Sequence, residues 1–221
     1  MDYRRSSQQL LGAAYVAGPL VMVGSVAAFL FGGRNPEPAD WGSGVEGLLG
    51  IVGFSVLVPV FVHLAHLLGS HAPRLAVAAL ITAVLGFAGG GVYQMTMRVM
   101  IAGFVDHGLD TSVLQSITDD AEAGSTATLL AVGFGPLVPI TSVLVGIGYV
   151  RTKLDHRLGW LLAIAGTLLF AGQALVIATE VTYGTAVVLW AVALVPIGAR
   201  MFTAQAAAMP TGGGAQRTTN A

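Results

Sequence analysis

The 221 residues are 55% hydrophobic and only 10% charged, with 30 glycines, against about a quarter charged in an ordinary soluble domain. A formal net charge of -1 leaves no basic field to recruit nucleic acid. The absence of cysteine excludes disulfides, thiolate nucleophiles, Cys-ligated zinc and iron–sulfur clusters.

An apolar run of roughly 17 to 25 residues crosses a bilayer as a helix, and the chain holds six such runs, at 10–31, 45–68, 75–97, 126–150, 159–178 and 184–202. The expected fold is therefore all-α, a polytopic six-helix transmembrane bundle filling residues 1–202, with a disordered Gly-, Ala- and Thr-rich tail at 203–221. The first run follows Arg4 and Arg5 but is too long for a cleavable signal and lacks an A-x-A site, so it reads as a retained helix.

Lys and Arg are kept on the cytoplasmic side during insertion. An inside N-terminus puts Arg4, Arg5, Arg74, Arg151, Lys153, Arg157, Arg200 and Arg217 inside, eight of the ten basic residues, and leaves Arg34 and Arg98 outside. Nine of the 11 acids then fall outside. Both termini are expected to be cytoplasmic, in a multi-pass protein of the bacterial inner membrane.

The connection at 32–44 is rich in Gly and Pro and carries Trp41 at headgroup level. In the segment 105–125, Leu109, Val113 and Ile117 recur every four residues, which predicts a short amphipathic helix on the outer surface, a connector or a lid. Asp119, Asp120 and Glu122 lie on it without the spacing of a magnesium–diphosphate motif.

Small residues let membrane helices approach, so Gly86 with Gly90, and Gly47 with Gly50 and Gly53, mark contact faces. The tetrapeptide Gly-Pro-Leu-Val stands at 18–21 and again at 135–138. Its two copies fall in spans that would run in opposite directions, as in a three-plus-three inverted repeat.

An ionisable side chain in a span costs about 2.5–3.5 kcal/mol on insertion scales and needs a reason. Glu46, Arg98 and Glu180 stand near the outer boundary. Gly90, Gln94 and Arg98 share one helix face, with Tyr93 beside it, and the seven-residue spacing of Gln173 and Glu180 puts these two on one face also. The expected site is an outward-facing pocket with Glu46, Glu180 and Arg98 as catalytic residues and Tyr93, Gln94, Gln173, Tyr183 and Trp190 against the substrate. One acid paired with Arg98 and one unpaired would divide base and acid roles. The bland reading is an Arg98 ion pair that locks helices.

His63 and His66 share a face at the inner end of the second span. Haem ligation wants histidines from facing helices, and no other span carries one; snorkelling to the interface is the simpler reading. No cofactor and no metal are expected. There is no P-loop, H-E-x-x-H or G-x-S-x-G motif, and the sole lysine, Lys153, lies in a loop.

The stretch 133–166, with Gly-Phe-Gly-Pro, then Gly-Ile-Gly-Tyr-Val-Arg ending at Arg151, then Arg-Leu-Gly-Trp ending at Trp160, resembles a group of six-helix bacterial membrane proteins classed as a domain of unknown function. The group's usual order there is Arg-Trp-Leu-Gly. That resemblance implies fold and not activity. In length, scarcity of charge and carboxylates near one membrane face, the chain is also similar to small integral membrane terpene cyclases. That likeness implies proton-initiated cyclisation of a lipophilic isoprenoid, with Glu46 and Glu180 in the acidic role. The alternatives are a small inverted-repeat transporter and a non-catalytic partner or sensor subunit. The partners expected in all three are the bilayer and, for the first two, a small molecule; oligomeric state is open.

Overall fold

A computed structural model describes residues 3–31, 41–108, 133–174 and 178–207. Among these residues the chain is all-helical, without strands. The elements are α1 (Tyr3–Phe31), α2 (Trp41–Gly69), α3 (Pro73–Ala83), a π-helical segment (Val84–Gly91), α4 (Val92–Asp106), α5 (Leu137–Thr152), α6 (His156–Ala174) and α7 (Thr179–Ala207). Four stretches are long and apolar enough to cross a membrane: Ser6–Phe31, Gly44–Gly69, Pro73–Phe104 and Thr179–Thr203. The third of these unites α3, the π segment and α4 in one rod. The expected surface helix at 105–125 falls mostly outside the described residues, as does most of the tail beyond Ala207.

Local chemistry sets the boundaries. Pro73 opens α3 at its first turn, where a missing N–H costs nothing. Lys153 takes a left-handed φ of 57° and ends α5. Asp155 then caps α6, its Oδ1 accepting the Leu158 N–H at 2.9 Å. Prolines 19, 59 and 196 sit inside helices that continue through them, so the first Gly-Pro-Leu-Val copy does not break its helix. The second copy straddles the start of α5, with Pro136 at its N-cap.

Neighbours in sequence are neighbours in space. α1 packs on α2, α2 on the rod from α3 to α4, that rod on α5, α5 on α6, α6 on α7, and α7 back on α1, closing a ring; α2 also reaches across to α5. The glycine faces make these contacts. A Cβ on Gly90 would fall 2.5 Å from the Gly135 nitrogen and the Phe134 carbonyl, and Gly86 lies as tightly on Leu137 and Val138. Gly47 and Gly50 meet Val99 and Met95 of α4, whereas Gly53 meets Met22 of α1.

The centre is filled by rings. Phe61 stacks on Phe87 at 4.7 Å between centroids, and Trp190 lies 5.8 Å from both. The Trp190 indole N–H donates to Ser142 Oγ at 3.0 Å, which in turn donates to the Leu162 carbonyl at 2.7 Å, so these polar atoms are satisfied within the apolar core. The outward faces carry exposed Leu20, Val52, Val77, Ile81, Ile164 and Val188, a surface suited to lipid rather than water.

Candidate functional site

At the end of α2 nearest its N-terminus, four helices bring five side chains together. Glu46 stands in the second turn of α2 and is only 1% exposed. Arg98, two turns into α4, donates from Nη1 to Glu46 Oε2 at 2.7 Å, while 42% of its own side chain remains exposed. The approach is possible because Gly47 and Gly50 let α4 lie directly on α2. From α1, Ser25 Oγ donates to the Glu46 backbone carbonyl at 2.9 Å. Phe29, one turn on, lies under the Arg98 guanidinium at 5.4 Å, within cation–π range. Tyr183 of α7 meets the Phe29 ring edge to face at 6.2 Å. Its hydroxyl lies beside Ser25, in the field of both Glu46 and Arg98.

Two atoms of this group are buried without a hydrogen-bond partner, Glu46 Oε1 and the Tyr183 hydroxyl. Arg98 supplies the counter-charge to the carboxylate through Oε2 alone. A carboxylate oxygen can accept, and a phenol can both donate and accept. Glu46 Oε1 is thus an acceptor, and the Tyr183 hydroxyl a donor, left without a partner.

The sequence-derived residues divide. Glu46, Arg98 and Tyr183 are brought together. Gln94 is one turn before Arg98 on α4 and partly buried, with the partly buried Tyr93 adjacent. Glu180 is partly buried in the first turn of α7, one turn before Tyr183. The expected common face of Gln173 and Glu180 is not formed: Gln173 is exposed on α6 and Glu180 belongs to α7. The helix ends between them, and Ala178 adopts a positive φ of 42°, so a spacing that holds within one helix fails across two. Trp190 is fully buried in the central ring cluster, two turns deeper than Tyr183. Ser25 and Phe29 carry no signal in the sequence, since a serine and a phenylalanine in an apolar run look like packing.

The histidines serve the opposite end of α2. His63 Nδ1 is 2.8 Å from the Tyr15 hydroxyl of α1, and the Tyr149 hydroxyl of α5 donates to the Leu64 carbonyl at 3.3 Å. His66, His71 and His156 are exposed. Among the described residues, no three His, Asp or Glu side chains gather where they could hold a metal. A shallow apolar groove of about 260 Å³ lies between α5 and α6, lined by Pro139, Ile140, Val143, Leu144, Thr167 and Phe170; none of these belongs to the Glu46 group.

No family model, curated protein or solved structure matches the chain. Functional argument therefore rests on the site itself.

Proposed function

We propose that the chain is an integral membrane enzyme of the bacterial inner membrane. In this reading its six helical rods span the bilayer, both termini are cytoplasmic, and the Glu46 group faces outward. The exposed apolar faces support the bilayer. Arg74, Arg151, Lys153, Arg157 and Arg200, all exposed and all at helix ends away from Glu46, support the orientation.

The substrate is a lipophilic isoprenoid entering from the lipid, and the reaction is proton-initiated cyclisation. The observation that carries this reading is Glu46, 1% exposed with one oxygen held by Arg98 and the other unpartnered. Cyclisation adds a proton to an alkene or epoxide and removes one from the cyclised cation. Glu46, backed by Arg98, is suited to take the proton at the end. Glu180, one turn from Tyr183, gives it at the start in this reading. The ring faces of Phe29 and Tyr183 at the site, and of Phe54, Phe61, Phe87 and Trp190 beneath it, can stabilise a cation by about 0.5–2 kcal/mol each, and an apolar interior keeps water from quenching it.

Transport through the centre is the weaker reading. The aromatic cluster fills mid-depth, and the two Gly-Pro-Leu-Val copies pack on different partners, Gly18 on Val56 and Leu57 and Gly135 on Gly90. A partner-subunit role gives the two orphan atoms no purpose. The test is turnover of isoprenoid epoxides and alkenes by the purified protein in lipid nanodiscs, with products identified by mass spectrometry. Glu46→Gln and Glu180→Gln should each abolish product while the protein stays folded; wild-type turnover in both, or none by the wild type, refutes the reading.

A further inference from the structure

The geometry of the Glu46 group points to a binding site for the neutral hydroxyl head of a lipophilic alcohol, seated between Glu46 Oε1 and the Tyr183 hydroxyl. This deepens the proposed function, and it rests on that reading for the ligand's lipophilic body.

The two atoms are the buried, unpartnered polar atoms of the described residues. They share one neighbourhood, because the Phe29 ring meets the Tyr183 ring at 6.2 Å and the Arg98 guanidinium at 5.4 Å, and Arg98 in turn holds Glu46 at 2.7 Å. They are not hydrogen-bonded to each other. A buried polar atom costs free energy until something pairs with it, so a group that pairs with both is selected over one that pairs with neither. Three ligand chemistries can be compared by what they offer. An ether or ketone only accepts: it satisfies Tyr183 and leaves Glu46 Oε1 alone. A phosphate, diphosphate or carboxylate brings negative charge against the Glu46 carboxylate, whose counter-charge is already engaged at 2.7 Å by Arg98. A hydroxyl donates to Oε1 and accepts from the phenol at once. The selection of a hydroxyl over an ether belongs to the ionised carboxylate, since a protonated Oε1 donates to an ether oxygen as well.

The remaining neighbours suit an apolar body attached to such a head. Phe29 and Val26 of α1 and Gly184 of α7 form the adjoining wall. Arg98 is turned to its carboxylate and to the Phe29 ring.

The experiment uses the full-length protein in nanodiscs with tritiated farnesol as probe. Unlabelled farnesol, farnesyl methyl ether and farnesyl diphosphate compete for the saturable component. Farnesol is expected to displace the probe, the methyl ether to be about tenfold weaker for want of one hydrogen bond, and the diphosphate to be weaker still. Tyr183→Phe, which removes one oxygen and keeps the ring, should weaken farnesol by about tenfold. The ether comparison is made on the wild type, so it stands even where the variant does not fold. Equal competition by alcohol and ether, undiminished binding to folded Tyr183→Phe, or no saturable farnesol binding overturns the inference. Hydroxyl-dependent binding without turnover of any isoprenoid would sink the enzymatic reading alone; turnover of an isoprenoid epoxide without preference for the hydroxyl would sink this inference alone.

Discussion

Breaking the Glu46–Arg98 pair should cost far more from one side than from the other. At a separation of about 4 Å and an effective dielectric of about 20, two unit charges attract by about 4 kcal/mol. Arg98 is 42% exposed, so solvent screening reduces this roughly by half, to about 2 kcal/mol. In Arg98→Met, Glu46 stays buried at 1% exposure with neither oxygen paired. The variant also loses the contact with Phe29, about 0.5–1 kcal/mol, for a total near 3 kcal/mol. In Glu46→Gln the guanidinium retains an amide oxygen to bind and has water within reach, so the loss is about 1 kcal/mol or less. The double variant should be more stable than Arg98→Met, because it removes the stranded carboxylate. Equilibrium unfolding in mixed micelles of dodecylmaltoside and sodium dodecyl sulfate, followed by circular dichroism, gives all three values. Should Glu46→Gln cost as much as Arg98→Met, the asymmetry of burial would not govern the pair and the reasoning would fail.

Two further expectations follow from packing and from topology. Gly90→Ala places a methyl group 2.5 Å from backbone atoms of Phe134 and Gly135 that cannot rotate away, and should cost about 1–3 kcal/mol. Gly103→Ala has nothing within 4 Å and should be neutral or gain up to about 1 kcal/mol from helix propensity; the same unfolding assay reads both. Because the chain has no cysteine, single substitutions report sidedness cleanly. In intact cells a membrane-impermeant maleimide should label His107→Cys, and Leu154→Cys only after lysis; the reverse pattern overturns the orientation.

The four membrane-length apolar helices were legible because hydrocarbon thickness dictates a length, and the contacts at Gly47 and Gly50 and at Gly86 and Gly90 because close approach needs small residues, whereas Gly53 turns to Met22 of α1 and not to the face of the other two. The π-helical segment Val84–Gly91 was not: within it Gly86 and Gly90 read as a contact surface, and their spacing carries no mark of i→i+5 bonding. At the site, a charge in an apolar run demanded a partner, which singled out Arg98 and two acids. Which acid it meets depends on helix rotation, a quantity the spacing within either helix does not contain. The same limit explains Gln173, whose heptad relation to Glu180 dissolved when the chain turned at Ala178.

The two ends of α2 differ in how their buried polar groups are paired. Glu46 and His63 stand 17 residues apart in sequence, about 26 Å along a helix axis, with the rings of Phe54, Phe61, Phe87 and Trp190 between them. Both ends bury polar side chains against apolar neighbours, a costly arrangement that folding alone does not require. At the His63 end the cost is offset internally, since the Tyr15 hydroxyl faces His63 Nδ1 and the Tyr149 hydroxyl reaches the Leu64 carbonyl. Each of these groups has what it needs, and together they hold α1 and α5 to α2. At the Glu46 end, Arg98 and Ser25 satisfy one carboxylate oxygen and the backbone carbonyl, and the helices are already held there by Gly47 against Val99 and Gly50 against Met95. The second carboxylate oxygen and the Tyr183 hydroxyl have no hydrogen-bond partner there. A group that is buried, polar and idle in the fold acquires a reason once a ligand is present, and this separates the Glu46 end from the His63 end on structural grounds.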